Sequence, residues 1–374
     1  MANFFERPVS LAHALMRHAD LRADEPALRF LDGHSADGVV LTYGQLDARA
    51  RAIAAAMTER AEAGDRALLL LPSGPDYVAA FFACLYAGVI AVPAYPPESM
   101  RPQHLERLLS IIEDAEPLLI LTSAQLLPSL SATALERGVS MPGLLAVGEL
   151  IEEPGQALRA QVPHAADIAF LQYTSGSTSA PKGVQVSHGN LEANEWLIRQ
   201  GYGIGPDDVI VSWLPLYHDM GLIGGLLQGI YSGVMVVLMS PQYFLERPLR
   251  WLEAISRFGG SISGGPDFAY RLCHERIAES KLAGLDLSRW RVAFSGSELI
   301  RQDSLDDFSR RFAACGFKAE ACLASYGLAE ATLFVTGSRS GQGIDALALD
   351  ADALATHRVL PGQGVKLMSC GWPQ

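Results

Sequence analysis

Residues 172 to 183 read Gln172-Tyr173-Thr174-Ser175-Gly176-Ser177-Thr178-Ser179-Ala180-Pro181-Lys182-Gly183, a hydroxyl- and glycine-rich loop set between two apolar segments. Thr174, Ser175, Ser177 and Thr178 offer hydroxyl donors, Gly176 lets backbone N–H groups approach an anion, and Lys182 adds a mobile positive charge. That combination suits phosphate. It differs from a Walker A loop, where Gly-Lys-Ser/Thr runs into a helix: here Lys182 precedes Gly183, and Val184-Gln185-Val186-Ser187 alternates like a strand. Taken alone, a cluster of this composition is most often a solvated turn.

Four later strings could join it. Trp213-Leu214-Pro215-Leu216-Tyr217-His218-Asp219-Met220-Gly221 lies where a buried strand ends and a helix begins, so its His218-Asp219 pair is well placed for a ligand at a strand's carboxyl end. A satisfied histidine beside a helix-capping aspartate is the plain alternative. Ser263-Gly264-Gly265-Pro266-Asp267-Phe268-Ala269-Tyr270 follows a strand with glycines that permit close backbone approach, and on its own it is a strand-to-helix turn. Ser295-Gly296-Ser297-Glu298 ends another strand, and Ser325-Tyr326-Gly327-Leu328-Ala329-Glu330-Ala331-Thr332 carries an aromatic ring and a carboxylate.

The first loop resembles the signature loop of the adenylate-forming superfamily, which includes acyl-CoA synthetases, peptide-synthetase adenylation domains and fatty acyl-AMP ligases. Residues 325–332 are similar to that superfamily's Tyr-Gly-x-x-Glu string, in the Leu-Ala-Glu-Ala-Thr form typical of fatty acyl-AMP ligases. The resemblance implies an ATP phosphate site at Thr174, Ser175, Gly176, Ser177, Thr178 and Lys182, with Lys182 and Glu330 as catalytic groups and Glu330 holding Mg²⁺ against the phosphates. Adenine would lie against Ser297, Glu298, Ser325, Tyr326 and Gly327, with the Tyr326 ring stacked on the base, a contact of about 1–3 kcal/mol. His218, Asp219 and Met220 would border an acyl pocket, and Gly264, Gly265 and Pro266 would form the wall between nucleotide and acyl chain. Each buried methylene contributes about 0.8 kcal/mol, so an apolar tunnel is an effective way to hold such a chain. Two positions depart from the family pattern: Ser179 stands where most relatives carry Gly, and Ala329 where many carry Thr.

The resemblance also implies a reaction, adenylation: a fatty acid and ATP give a fatty acyl-adenylate and pyrophosphate, and the acyl group passes to an acyl carrier protein in lipid, polyketide or lipopeptide biosynthesis. An acyl-CoA synthetase is the runner-up, and a non-catalytic acyl- or nucleotide-binding module the alternative of another class. Residues 338–374 resemble an insertion specific to fatty acyl-AMP ligases and the start of a third subdomain. The rest of that β-barrel subdomain and the C-terminal domain with its catalytic lysine are expected to be absent.

These strings require elements to hold them. At 374 residues and 49% apolar composition the chain can bury a large core. Short apolar runs at 28–31, 39–41, 67–71, 89–93, 118–121, 209–213, 234–239, 261–263 and 291–294 read as strands. Helical spacing falls at 43–60, 76–86, 103–113, 191–199, 222–231, 249–258, 268–278 and 304–313, with Thr42 as an N-cap. Such alternation predicts an α/β fold of two related, helix-covered, mostly parallel sheets, the large N-terminal domain of an adenylate-forming enzyme, with approximate halves 1–165 and 166–337.

The net charge of -12 argues against nucleic acid or an anionic membrane as the main partner. Five scattered cysteines without ligand spacing, and an N-terminus without a signal peptide, fit a cytoplasmic protein. The uncharged stretch 221–239 is long enough to resemble a membrane span, but its glycines and the β-branched run 234–238 read as helix, turn and buried strand, with no integral membrane association.

Overall fold

The computed structural model describes residues 7–95, 102–128, 130, 142–152, 158, 160–174 and 181–373. Its strands are β1 (Pro26–Leu31), β2 (Val39–Thr42), β3 (Arg66–Leu70), β4 (Ile90–Pro93), β5 (Leu119–Thr122), β6 (Gly143–Ala146), β7 (Ile168–Thr174) and β8 (Lys182–Ser187). They continue as β9 (Val209–Ser212), β10 (Met235–Met239), β11 (Ile262–Gly265), β12 (Val292–Ser295), β13 (Cys322–Gly327), β14 (Phe334–Gly337), β15 (Ala346–Leu349), β16 (Val365–Met368) and β17 (Trp372–Pro373). A nine-stranded sheet runs β17-β14-β13-β12-β11-β9-β10-β1-β2, and a six-stranded sheet runs β6-β5-β3-β4-β7-β8.

The alternation of strand and helix produces parallel pairing through the middle of both sheets, β1 through β13 in one and β6 through β7 in the other. Antiparallel pairs are confined to the edges: β1–β2, β13–β14, β14–β17 and β7–β8. Strands buried on both faces must be apolar throughout, and β3, β5, β10 and β12 are buried along almost all their length. Residue 165 does not divide the sheets. The N-terminal strands β1 and β2 join the larger sheet through β10, while β7 and β8 complete the smaller one.

Local signals behave as their chemistry dictates. Thr42 accepts from Gln45 N–H while the Gln45 side chain accepts from Thr42 N–H, a capping box that starts the helix Tyr43–Thr58. Ser187 and Asn190 form the same device for the helix His188–Tyr202. The 222–231 helix, however, opens as a π-helix, Met220–Leu227, and only Gln228–Ser232 is α. An aromatic cluster of Trp213, Phe244, Trp251, Tyr270, Trp290 and Phe308 fills the core of the larger sheet. Residues 338–373 form the antiparallel pair β15–β16 and the short helix Ala351–Ala355, then return as β17 to the edge of β14. Among the described residues, no helix is long and apolar enough to cross a membrane.

Candidate adenylation site

Parallel strands end on the same side, and β9, β12 and β13 deliver their following loops to one cavity of about 360 Å³. Thr174, the last residue of β7, borders it from the smaller sheet. His218, Asp219 and Met220 come from the loop after β9, Ser297 from the turn after β12, and Ser325, Tyr326, Gly327 and Glu330 from the end of β13 and its loop. Opposite this polar rim, Ile198, Tyr202, Phe294, Leu333 and Phe334 supply an apolar floor. Tyr202 stacks on Phe294 at 5.9 Å, and burial pushes its phenol well above the ordinary range, which keeps the floor uncharged.

The loop before His218 is fixed from the other sheet. Tyr77 Oη donates to the Leu216 carbonyl at 2.8 Å and Gln172 Nε2 to the Tyr217 carbonyl at 3.0 Å. His218 Nδ1 lies 2.7 Å from Asp219 Oδ1, and that hydrogen bond raises the imidazole pKa above its ordinary 6.5 against the opposing effect of burial. Asp219 Oδ1 also accepts from Met220 N–H at 2.7 Å and so caps the π-helix. The aspartate is thus a cap, and the imidazole, about half exposed at 52%, lines the cavity.

Ser297 adopts φ 66°, a left-handed backbone that few non-glycine residues take, and its hydroxyl donates to Met220 Sδ at 3.3 Å. The turn after β12 and the loop after β9 therefore touch. Glu298 behaves differently. Its carboxylate accepts from Phe268 N–H at 2.8 Å, at the start of the helix Asp267–Arg276, while Asp267 accepts from Arg301 N–H at 2.9 Å and from the Ser304 hydroxyl at 2.7 Å. Glu298 is thus absent from the cavity lining and locks the turn that presents Ser297.

Gly264, Gly265 and Pro266 also lie off this cavity. A Cβ on Gly264 would sit 2.1 Å from the Phe294 carbonyl oxygen, and one on Gly265 2.6 Å from Trp213 Cζ2. These glycines let β11 pack tightly behind Phe294, and it is Phe294 that faces the cavity. Lys182 is exposed and outside the lining, yet it stands directly opposite Thr174 across the β7–β8 pair, so both side chains leave one face of the sheet. Ser175, Gly176, Ser177 and Thr178, with the departure at Ser179, lie outside the described residues.

A residue of the cavity and one that holds its wall carry no sequence signal of their own. Gly224, in the first turns of the π-helix, faces the floor, and a Cβ there would meet only Leu333 Cδ2, at 3.3 Å. Asn194, on the helix His188–Tyr202, binds the backbone around Leu333 through its amide. Neither falls within a recognisable string. A π-helix often marks a functional site, but from composition it cannot be told from an α-helix.

A family model described as AMP-binding enzyme matches residues 15–372. Among curated proteins, a medium-chain fatty acid–acyl-carrier-protein ligase of Moorena producens (strain JHB) is 37% identical, over 97% of this chain and 63% of its own length. A long-chain fatty acid–AMP ligase of Mycobacterium marinum is 36% identical, over 97% of this chain and 64% of its own. The chain thus spans somewhat less than two thirds of these relatives. Among solved structures, a fatty acyl-adenylate ligase from L. pneumophila in complex with acyl adenylate and pyrophosphate superposes with a TM-score of 0.88 and 38% identity, covering all of this chain and 65% of that one.

Proposed function

The chain belongs to the AMP-binding enzyme family, and from that premise we propose that it takes part in activating a fatty acid with ATP, as a fatty acyl-AMP ligase whose acyl group goes to an acyl carrier protein. The observation that carries this reading is the single cavity in which Thr174, Tyr326 and Glu330 share a polar rim with His218 while Ile198, Phe294 and Phe334 line an apolar floor. A nucleotide needs the first set and an alkyl chain the second. The acceptor follows the relative that is named as an acyl-carrier-protein ligase.

In the reaction, a carboxylate oxygen attacks the α-phosphorus of ATP in line. The bond to the β-phosphate oxygen breaks, and its electron pair leaves with pyrophosphate. No proton moves, so the protein's part is orientation and charge neutralisation. Tyr326, with 52% of its surface exposed at the rim, offers a ring face for adenine. Lys182 and the hydroxyls from Thr174 to Thr178 take the phosphates. His218, cationic below its raised pKa, faces the carboxylate as it approaches. A thiol of the carrier protein then attacks the acyl carbonyl, with AMP as the leaving group and the thiol proton released.

Among the described residues, no group of three or more His, Cys, Asp or Glu could hold a metal unaided. Glu330 alone suits Mg²⁺, which binds through one or two carboxylates plus substrate phosphates and keeps several waters. When bound, the ion would neutralise charge on the phosphate oxygens.

The test is product formation from ATP, Mg²⁺ and fatty acids of graded length, with CoA or a holo carrier protein as acceptor. Acyl-AMP that passes to carrier protein and not to CoA is expected. Ready acyl-CoA formation would assign the synthetase branch instead, and absence of any adenylate would leave only a binding module.

A further inference from the structure

Asn194 is 6% exposed, on the same helix as the cavity residues Ile198 and Tyr202. Its amide is used entirely on backbone. Nδ2 donates to the Phe334 carbonyl at 2.9 Å and to the Ala331 carbonyl at 3.4 Å, and Oδ1 accepts from Phe334 N–H at 2.9 Å. The side chain does for Phe334 what a neighbouring strand would do, at a point on the edge of β14 where β17 pairs only with Thr336 and Gly337.

Between the two anchored residues the backbone is strained. Thr332 has φ 72° and ψ -65°, and Leu333 N–H donates to the Ala331 carbonyl at 3.0 Å, which makes residues 331–333 a γ-turn of the rare, positive-φ kind. A β-branched residue in this region is an outlier that persists only where its surroundings hold it. Leu328 N–H closes the loop on the Leu333 carbonyl at 2.9 Å, leaving Glu330 exposed between the two ends.

We propose that Asn194 is the positioning residue for Glu330: its amide holds the strained turn at Thr332 and thereby fixes the direction in which the Glu330 carboxylate meets the metal and the phosphates of the nucleotide. The role of Glu330 rests on the adenylation reading above; the clamp rests on the hydrogen bonds alone. Asn194 does not line the cavity and all the hydrogen bonds of its amide go to backbone, so it acts on the ligand only through the loop.

Two readouts separate these layers, both on the ligand-free or nucleotide-bound chain without turnover. The first is deuterium uptake of backbone amides 328–334, and the second is the gain in ATP affinity on adding Mg²⁺, by calorimetry. Asn194→Ala is expected to speed exchange at Leu333 and Phe334 and to reduce the Mg²⁺-dependent gain by about tenfold or more, the usual effect of removing a partner outside the coordination sphere. ATP affinity in EDTA should hold. Asn194→Ser, which retains one hydroxyl toward the strand, should fall between and serves if the alanine variant folds poorly. Thr332→Gly should leave both readouts near the starting protein, because glycine takes positive φ freely, and in combination with Asn194→Ala it should restore much of the Mg²⁺ effect. An unchanged Mg²⁺ gain in Asn194→Ala, or strictly additive losses in the double variant, would overturn the proposal. If Glu330→Gln keeps the full Mg²⁺ gain, the positioning role falls with the adenylation reading, and faster exchange in Asn194→Ala then shows that the clamp itself was correctly assigned.

Discussion

His218 and Asp219 form a charge pair at the rim. Hydrogen bonding to Asp219 stabilises the imidazolium, so the folded pKa lies above 6.5 and the cation persists into a range where a free histidine is already neutral. Fatty carboxylate and ATP are both anions, hence binding should be strongest below that pKa and weaken as pH rises through it. Asp219→Asn removes the negative charge while its side-chain oxygen can still accept from Met220 N–H, so the cap survives. The expected result is a KM for the acid that begins to rise at lower pH than in the starting protein, by roughly fivefold across the limb, the worth of about 1 kcal/mol at the upper end for a solvent-exposed charge pair. A KM profile that does not move on this substitution would remove His218 from the substrate's path.

At the scale of elements, the π-helix Met220–Leu227 brings Gly224 to the cavity wall beside Leu333. Gly224→Leu should fill the floor. Each methylene displaced from the apolar end costs about 0.8 kcal/mol, or roughly fourfold in kcat/KM, so longer acids should lose progressively more than short ones. Thermal stability should hold or rise, since leucine favours a helical backbone more than glycine does; equal loss at every chain length would place the acyl group elsewhere. Little of this element could be read from the sequence. The strings around His218, Ser297 and Tyr326 are legible through their resemblance to family motifs, and they do converge on one cavity. Glu298, beside Ser297, and Gly264 and Gly265 of the 263–270 string serve packing and turn geometry, a distinction that depends on what lies across from them: Phe268 N–H, Phe294 and Trp213. Strand β13 carries no strand signal of its own, since Cys322-Leu323-Ala324-Ser325-Tyr326-Gly327 lacks β-branched residues and is held as a strand by pairing on both sides, to β12 and to β14.

For the whole molecule, sheet membership was the part that local pattern could not supply. Strand periodicity places β1 correctly as a strand, and the apolar segment before the hydroxyl-rich loop becomes β7, but which sheet each joins is settled by partners more than 75 residues away: β1 lies against β10, with Leu28 opposite Val236, and β7 against β4, with Phe170 opposite Ala91. The connection is reinforced by ties between the layers, Arg22 Nη2 to the Gly233 carbonyl at 2.7 Å and Gln172 to the Tyr217 carbonyl. A cut at residue 165 therefore leaves each piece with an incomplete sheet: residues 1–165 lack β7 and β8 and carry β1 and β2 without β10, while residues 166–374 expose the apolar edge of β10. Unpaired apolar edges invite association. Residues 43–187, by contrast, hold all six strands of the smaller sheet together with the helix Tyr43–Thr58 that packs on the helix Pro75–Ala87. Of the two pieces of similar length, 43–187 should show the more cooperative thermal unfolding by circular dichroism and elute as the smaller species, whereas 1–165 should aggregate or melt without a clear transition. A soluble 1–165 with a sharp transition would mean that the first half folds without the strands it shares, and that the interleaving of the two sheets contributes little to stability.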